Sequence, residues 1–366
     1  MKDYIFIFGR DPVLSYLEMK SYFESRKMGY SIVDESEHGV VVKLDGSLDF
    51  GKMIKGLGGT SKIAEVVDGL DSVELYNGRS NKIKYAVSAY DADDGEVMEY
   101  LKKRLKGERL KATIKHSKKK EDFTSPSESV NILKEGFEII LFKDYIGKVV
   151  ALFNPVEYKR RDTDRPAQRP LHMISIRLAK ILINLTGAKE KDTVLDPFCG
   201  IGVLLQEALM MGMDVIGLDS SGTCVNDSRT NLAWTAARFS TPGTHKVLKG
   251  DARELSKYVK SADFAATEPY MGPFIKKLPT PEEARDTMRK LRPMYDDVLG
   301  ELKKVVKGRI AIIVPRFRLY DGKRMNMGFG SMLEEHGFVC DKAYPIIYVA
   351  VKSKIEREIW VIEKAR

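Results

Sequence analysis

The stretch VLDPFCGIG, residues Val194–Gly202, decides the fold of the second half of the chain, because an apolar strand runs there into a turn with two glycines. Glycine permits positive φ angles and a close approach of the backbone to a ligand. The start of the following helix offers N–H groups that have no helical partner. A dinucleotide-binding fingerprint would need a third glycine at the position of Leu205. The stretch therefore predicts a ligand-binding turn between a strand and a helix, and it disfavours a nicotinamide cofactor.

Helical and strand-like patterns alternate around this turn, from residue 171 to residue 366. The predicted helices cover residues 171–186, 201–212, 222–238, 282–304 and about 326–336. The predicted strands cover residues 193–198, 214–219, 246–250, 263–267 and 309–315, with further strands near 338–349 and 357–363. Such alternation is typical of an α/β fold with a doubly wound, mostly parallel sheet flanked by helices.

The first 153 residues contain two smaller α+β patterns. Residues 1–75 hold three predicted strands and two predicted helices, residues 76–153 hold further strands and helices, and a polar, turn-rich stretch separates the two. Residues 154–170 carry three prolines among basic residues, so we expect an extended linker there rather than a continuous helix. The main domain boundary is placed at this linker, and residues 171–366 form the last predicted domain.

Two acidic residues lie at the carboxyl ends of the second and third strands of the predicted sheet. Asp219 ends the strand 214–219, and Asp251 follows the strand 246–250. Ligands of open α/β sheets bind outside the carboxyl ends of the strands, so both carboxylates are expected to point into one crevice beside the glycine turn. There Asp219 would accept hydrogen bonds from ribose hydroxyls, and Asp251 would accept one from an adenine amino group. The alternative is that either acid merely caps the helix that follows it.

The fourth strand ends in Thr267-Glu268-Pro269-Tyr270, which brings a carboxylate and an aromatic ring to the same edge of the sheet. A flat base can stack on Tyr270 while its exocyclic amine donates a hydrogen bond to Glu268 or to a backbone carbonyl. The alternative is a proline-rich surface turn. This edge is therefore interpreted as the place of a substrate base.

These motifs together resemble those of S-adenosylmethionine-dependent amino-methyltransferases. The resemblance rests on Asp196–Gly202, Asp219, Asp251 and Thr267–Tyr270. Within that class the chain resembles the THUMP-domain tRNA guanine-N2 methyltransferases, the guanosine-10 type of archaea and eukaryotes. The catalytic half carries the specific motifs, whereas the amino-terminal half is similar mainly in layout.

The resemblance implies a complete architecture and reaction. It implies a Rossmann-like methyltransferase domain, preceded by a ferredoxin-like unit over residues 1–75 and a THUMP-like RNA-binding unit over residues 76–153. It also implies S-adenosyl-L-methionine as the cofactor and tRNA as the partner. The reaction would be a direct in-line methyl transfer to the N2 amine of a guanine, which needs no metal ion.

The strand-four motif departs from the family pattern. Relatives usually read Asp-Pro-Pro-Tyr, and here either Glu268 replaces the aspartate with one proline lost, or Thr267 replaces the aspartate and Glu268 a proline. If Glu268 is the acceptor, its extra methylene moves the carboxylate by roughly one carbon–carbon bond, and catalytic geometry is sensitive at about the 1 Å level. The register of the motif stays open at this point.

The resemblance assigns roles to single residues. The residues expected in catalysis are Thr267, Glu268, Pro269 and Tyr270. The residues expected to hold the cofactor are Asp196, Phe198, Cys199, Gly200, Gly202, Asp219, Asp251 and Ala252. Cys199 is expected to pack within the turn rather than to act as a nucleophile, because no histidine or second cysteine is near it in the sequence.

Basic residues are concentrated in two segments, residues 102–120 and the linker 154–170, in a pattern suited to phosphate contacts. The residues expected to bind RNA are Lys102, Lys103, Lys111, Lys115, Lys118, Lys119, Lys120, Arg160, Arg161 and Arg165. The alternative for the first segment is a solvated basic face. The alternative for Arg161 and Arg165 is an ion pair with a neighbouring or buried acid.

Composition sets wider limits. The chain has 366 residues, a formal net charge of +9 and 43% hydrophobic residues, which argues for a folded, basic protein and against a disordered one. Its three cysteines lie far apart, so neither a disulfide framework nor a structural zinc site is expected. No apolar run approaches twenty residues, and the chain is expected to be cytoplasmic.

Two other functions stay open on the sequence alone. The same cofactor could serve methyl transfer to another tRNA guanine atom, to rRNA or to adenine N6, or the chain could be a catalytically silent RNA-binding relative. The intact glycines and acids argue against the silent relative, whereas the altered strand-four motif argues for it. A small helper subunit and the oligomeric state are also left open.

Overall fold

The computed structural model describes residues 2–75, 81–115, 123–169, 174–350 and 353–365. The chain divides into two compact units, which we call the first and the second unit. The first is formed by Met1–Met19 and Lys27–Asp162, and the second by Lys20–Arg26 and Thr163–Arg366. The division after Asp162 falls inside the segment that was expected to hold the main domain boundary.

In its described residues, the first unit contains an eight-stranded sheet with the strand order β2-β3-β1-β4-β8-β7-β5-β6. Its strands are β1 (Lys2–Phe8), β2 (Tyr30–Ser36), β3 (Gly39–Leu44), β4 (Thr60–Val66), β5 (Lys82–Tyr90), β6 (Lys111–Ile114), β7 (Gly136–Phe142) and β8 (Tyr145–Leu152). The helices in this part of the chain are α1 (Pro12–Ser25), α2 (Phe50–Gly56), α3 (Gly95–Gly107), α4 (Pro126–Leu133) and α5 (Pro155–Asp164).

The two α+β patterns of the first 153 residues share this one sheet, because β4 pairs with β8 in antiparallel register. The predicted strands and helices agree with the structure except for β2, which was not predicted. β2 lies at the edge of the sheet, and its side chains are at most half-buried, so no run of apolar residues marks it.

The expectation of an extended linker over residues 154–170 is wrong in its first part, where α5 forms. Pro155 occupies the first helical position, at which a missing N–H breaks no helical hydrogen bond. The side chain of Asn154 accepts hydrogen bonds from backbone N–H groups of the first turn, at 3.1 and 3.3 Å. Pro166 lies beyond the last helical residue, so neither proline interrupts the helix.

The second unit contains a mixed sheet with the strand order β11-β10-β9-β12-β13-β17-β15, with β14 added to β13 and β16 to β17. Its strands are β9 (Thr193–Asp196), β10 (Asp214–Asp219), β11 (His245–Lys249), β12 (Phe264–Thr267), β13 (Ile310–Arg318), β14 (Arg324–Met325), β15 (Phe338–Cys340), β16 (Ile346–Tyr348) and β17 (Ile355–Lys364). Its helices are α6 (Ile176–Thr186), α7 (Val203–Met210), α8 (Gly222–Arg238), α9 (Pro281–Val305) and α10 (Phe329–Glu335).

The order of these strands creates one topological switch point. The chain runs outward through β9, β10 and β11 and then returns to place β12 on the other side of β9, with all four strands parallel. Ligands of open α/β sheets bind at the carboxyl ends of the strands where the order reverses. The fold therefore brings the ends of β9 and β12 to one switch point, and the doubly wound arrangement agrees with the alternating pattern.

The described part of the chain holds no helix that is both long enough and apolar enough to cross a membrane.

Candidate active site

The glycine turn after β9 is held in place by backbone hydrogen bonds. Cys199 N donates to Leu218 O at 3.0 Å, and Gly202 N donates to Cys199 O at 2.7 Å. Gly200 and Gly202 have φ angles of +51° and +85°, which favour glycine. A Cβ atom on Gly200 would meet nothing within 4 Å, so the turn leaves open space at this position.

Asp219 closes the turn from the neighbouring strand. Its carboxylate accepts a hydrogen bond from Gly200 N at 2.9 Å and another from Ser221 N at 2.8 Å. Each carboxylate oxygen has a second lone pair, so the group keeps acceptor capacity for further donors. The cap of α8 is Ser221 and not Asp219, so Asp219 is not the capping acid that the alternative described.

Asp196 lies beneath the turn and joins it to β12. Its Oδ1 accepts hydrogen bonds from Phe198 N at 3.1 Å and from Thr267 Oγ1 at 2.7 Å. Burial raises the pKa of Asp196 from 3.8 to about 7, and the charges of Asp219 and Glu268 add to the shift, whereas the two hydrogen bonds oppose it. These three carboxyl groups therefore lie close enough to influence one another.

The strand-four motif separates its two polar residues. Thr267 is fully buried at the end of β12, and its hydroxyl is committed to Asp196. Glu268, the first residue after the strand, accepts a hydrogen bond from Arg357 Nε at 2.5 Å, and both side chains are about 15% exposed. Glu268 is thus the carboxylate that this sheet edge offers.

Arg357 is the site residue that the sequence reasoning missed. It lies on β17, opposite Pro315 of β13, and 89 positions separate it from Glu268. A single arginine in a strand carries no motif, so only the pairing of β13 with β17 brings it to the site.

Pro269 and Tyr270 complete the edge in different ways. Pro269 is buried, whereas the side chain of Tyr270 is 55% exposed. The backbone carbonyl of Tyr270 accepts a hydrogen bond from the hydroxyl of Tyr295 at 3.4 Å. Tyr295 is completely buried, and burial raises its pKa well above 10, so it stays a neutral donor at neutral pH. The buried Tyr295 thus fixes the backbone after β12, while the ring of Tyr270 stays exposed to solvent.

Asp251 and Ala252 follow β11, the strand next to β10 at the edge of the sheet. Asp251 caps a short 3₁₀ helix over Ala252–Lys257 by accepting from Arg253 N at 2.9 Å, and it forms an ion pair with the Arg253 side chain at 2.6 Å. The hydrogen bond from Arg253 lowers the pKa of Asp251. The capping alternative therefore describes the geometry of Asp251, while Ala252 is buried behind it.

Cys199 is buried inside the turn, and burial raises the pKa of its thiol strongly. A thiol with a raised pKa stays protonated and is a poor nucleophile, so Cys199 packs as expected.

The basic residues expected to bind RNA fall into three groups. Lys102, Lys103, Lys111, Lys115 and Arg160 are exposed in the first unit. The expectation of phosphate contacts does not hold for Arg161 and Arg165, which are only 7% and 3% exposed, and the guanidinium of Arg161 stacks on the ring of Tyr158. Lys118, Lys119 and Lys120 lie outside the described residues.

Comparisons of the sequence with known proteins point to methyltransferases. Residues 162–321 match a family described as an RMKL-like methyltransferase domain, and residues 74–229 match one described as a DNA methylase. The chain is 36% identical over 111 residues to tRNA (guanine(10)-N2)-dimethyltransferase of Methanothermobacter thermautotrophicus, which covers 30% of this chain and 31% of that protein.

Two further relatives carry the same name. The protein from Pyrococcus abyssi is 31% identical over 176 residues, 47% of this chain and 48% of that protein. The protein from Methanocaldococcus jannaschii is 29% identical over 292 residues, 71% of this chain and 78% of that protein. The match spans less than half the length of the Methanothermobacter and Pyrococcus relatives.

Solved structures share the fold. TrmN from Thermus thermophilus has a TM-score of 0.55 at 14% identity, and the match covers 99% of each chain. A possible methylase from Clostridium difficile 630 has a TM-score of 0.51 at 13% identity, with 100% of this chain and 99% of that chain covered. The Rossmann-like methyltransferase fold expected from the motifs is thus confirmed. The chain is similar in sequence to the proteins named tRNA (guanine(10)-N2)-dimethyltransferase, and its residues 162–321 match an RMKL-like methyltransferase domain.

Proposed function

We propose that this chain is an S-adenosylmethionine-dependent methyltransferase that modifies the exocyclic N2 amine of a guanine in tRNA, at the position numbered 10 in the names of its relatives. The observation that carries the proposal is the place of Glu268 and Tyr270. Both follow β12 at the switch point of the sheet, next to the glycine turn that Asp196 ties to the same strand. A base-binding edge and a nucleoside-binding turn thus meet at one end of the sheet.

The residues of the turn fit the cofactor. The open space at Gly200 lets a ligand approach the backbone, and the unused lone pairs of Asp219 accept ribose hydroxyls. Asp251 and Ala252 line the adenine side, with Asp251 shared between Arg253 and the adenine amine. When bound, S-adenosyl-L-methionine supplies a methyl group that its sulfonium sulfur activates for transfer to an amine.

Glu268 and Tyr270 position the acceptor. The ring of Tyr270 stacks on the guanine, and Glu268 Oε2 accepts a hydrogen bond from the exocyclic amine while Oε1 stays with Arg357. This hydrogen bond directs the nitrogen lone pair toward the methyl carbon. After the new carbon–nitrogen bond forms, the nitrogen loses one proton, which Glu268 Oε2 takes up. Alignment of nitrogen, carbon and sulfur contributes most of the rate enhancement.

The first unit supplies the tRNA contacts in this proposal. Residues 76–153 act as a THUMP-like unit, and Lys102, Lys103, Lys111 and Lys115 meet phosphates. Residues 1–75 act as the ferredoxin-like unit that supports it. Because the substrate is tRNA, we place the reaction in the cytoplasm.

A single assay tests the proposal. The full chain is incubated with methyl-labelled S-adenosylmethionine and an unmodified tRNA transcript, and the digested nucleosides are separated and identified by mass. Label in N2-methylguanosine or its dimethyl form is the expected result, and a transcript with adenosine at position 10 is expected to remain unlabelled. Label in another nucleoside would assign another acceptor to the edge after β12. Absence of label together with absence of cofactor binding would contradict the proposal altogether.

A further inference from the structure

Three arginines converge on one buried carboxylate at the carboxyl end of β13, in the second unit. The Nε atoms of Arg316, Arg318 and Arg324 lie 3.6, 4.0 and 3.2 Å from carboxylate oxygens of Glu356. The side chain of Glu356 is 6% exposed, whereas the arginine side chains are 30–40% exposed. We call Arg316, Arg318 and Arg324 the arginine cluster.

The strand register places like charges of the arginine cluster next to each other, and their repulsion destabilises the sheet at this point. Arg318 on β13 lies directly opposite Arg324 on β14, and Arg316 lies opposite Glu356 on β17. Like charges placed directly opposite each other destabilise an antiparallel pair. A single carboxylate neutralises only one of the three guanidinium groups. The arrangement therefore holds an excess of positive charge that an anionic partner would neutralise.

A second buried acid, Glu358, does not remove this excess. Glu358, two residues along β17, is buried and accepts hydrogen bonds from Asn326 at 3.3 Å and from Trp360 Nε1 at 3.4 Å. Burial raises the pKa of Glu358, which weakens its ability to balance the arginines. Asp321, in the turn between β13 and β14, pairs with Lys323 at 3.8 Å, so the positive groups outnumber the negative ones even with Glu358 fully charged.

The arginine cluster lies at the edge of the sheet where the substrate base is proposed to bind. Thr267 at the end of β12 is in register with Ile312 of the parallel strand β13, so both strands direct their carboxyl ends to one edge. In the turn after β13, Tyr320 N donates to Pro279 O at 3.2 Å. This bond ties the turn to the segment that starts at Glu268. The side chain of Tyr320 is 66% exposed.

We propose that the arginine cluster and Tyr320 bind the RNA strand next to the target guanine. The guanidinium groups contact phosphates, for which arginine geometry is well suited, and the ring of Tyr320 stacks on an unpaired base. The exposed ring between Arg318 and Arg324 favours a nucleic acid over an acidic protein, which offers no base to stack. This inference rests on the proposed function, because it takes the RNA substrate as the polyanion.

The test measures binding of an unmodified tRNA transcript by fluorescence anisotropy at several salt concentrations, without methyl donor and therefore apart from catalysis. Arg318→Gln and Arg324→Gln are each expected to weaken binding several-fold and to reduce the slope of log K against log salt by about 1. Arg318→Lys keeps the charge and is expected to keep the slope. Tyr320→Ala is expected to weaken binding without a change of slope, because stacking involves no charge.

The matched control is Arg289→Gln on α9, which removes an exposed arginine paired with Asp286 at 3.1 Å. It is expected to bind tRNA as the wild type does. In Arg318→Gln, Glu356 retains Arg316 and Arg324, so the melting temperature is expected to stay equal or to rise. This measurement shows that weaker binding does not come from unfolding.

Three outcomes would overturn the inference. Wild-type affinity and slope in both glutamine variants would remove the arginine cluster from the RNA contact while leaving the proposed function intact. An equal effect of Arg289→Gln would assign the loss to general surface charge. Failure of the wild-type chain to bind tRNA at all would overturn both the inference and the proposed function.

Discussion

We assign the proton-acceptor role to Glu268 in the proposed function, because the Thr267 hydroxyl is committed to Asp196 and Arg357 holds the Glu268 carboxylate in place. Glu268→Gln removes the proton acceptor but keeps the shape, and it is expected to lower kcat by about 10²-fold or more while cofactor affinity stays unchanged. Arg357→Ala is expected to lower kcat by a smaller factor, and Arg357→Lys to restore part of it, because the lysine ammonium keeps the charge but not the guanidinium geometry.

Single-turnover kinetics with saturating tRNA and calorimetry with the cofactor check this prediction. Glu254→Gln is the matched control, since Glu254 is an exposed acid of the same unit that pairs with Lys257. If Glu268→Gln transfers methyl groups at the wild-type rate, a backbone carbonyl is the acceptor instead.

Asp196 gives the folded chain a specific pH dependence. Its carboxyl group holds a proton more tightly when folded, with a pKa of about 7 against an ordinary value of 3.8. The stability contributed by protonated Asp196 is therefore fully present below about pH 4 and is lost as the pH rises through about 7. Asp196→Asn keeps an acceptor for Thr267 and Phe198 but does not ionise. The free energy of unfolding of the variant minus that of the wild type is expected to increase by an amount on the order of 2 kcal/mol as the pH rises from 5 to 8.

Urea unfolding of both proteins without cofactor, at several pH values, measures this difference. A difference that stays constant from pH 5 to pH 8 would show that Asp196 is ionised throughout this range in the folded chain.

At the scale of elements, the glycine turn depends on the helix that packs behind it. A Cβ atom on Gly202 would lie 2.5 Å from Ser228 Oγ of α8, at a φ angle of +85°. Gly202→Ala is therefore expected to destabilise the chain by about 1–3 kcal/mol and to weaken cofactor binding. Gly202→Ala with Ser228→Ala removes the contact but not the backbone strain, so we expect partial recovery.

Gly222→Ala is the matched control for this substitution. Gly222 is the first residue of α8, and a Cβ atom there would be 3.7 Å or more from its neighbours, so the change is expected to be neutral or slightly stabilising. Urea unfolding and cofactor calorimetry provide both measurements. Equal stability of Gly202→Ala and Gly222→Ala would contradict the role assigned to the turn.

Most elements were predictable because their signals are local. The helix 222–238 was predicted at its observed bounds, since Ser221 caps it and no proline interrupts it. The prolines around α5 misled the prediction, because proline at a first helical position starts a helix as readily as it ends one. The glycine turn and Asp219 were also predictable, because the turn follows a strand and Asp219 ends one. Arg357 was not, because its place depends on the pairing of β17 with β13, which no local pattern encodes.

For the whole molecule, we expect the first unit to dock the tRNA and the second unit to carry the chemistry, with the arginine cluster as a further RNA contact. Lys102, Lys103, Lys111 and Lys115 are all exposed in the first unit. If they meet tRNA phosphates, their combined replacement by glutamine is expected to raise KM for tRNA about tenfold or more at physiological salt and to lower the salt slope. The value of kcat at saturating tRNA and the affinity for the cofactor are expected to stay within twofold of the wild type.

The control for this variant removes the same number of positive charges from a different part of the chain, so that an effect of position is distinguished from an effect of net charge. Lys189, Lys191, Lys246 and Lys260 are exposed lysines of the second unit, and their replacement by glutamine removes the same four positive charges. Phosphate contacts act at short range, and exposed charges are screened within about 10 Å at 0.1 M salt. If the control lysines make no phosphate contact, their replacement is expected to change KM by less than a factor of three. Steady-state kinetics over a range of tRNA and salt concentrations compares the two variants. Equal increases of KM would mean that tRNA responds only to net charge, and the first unit would then lose its assigned role in docking the substrate.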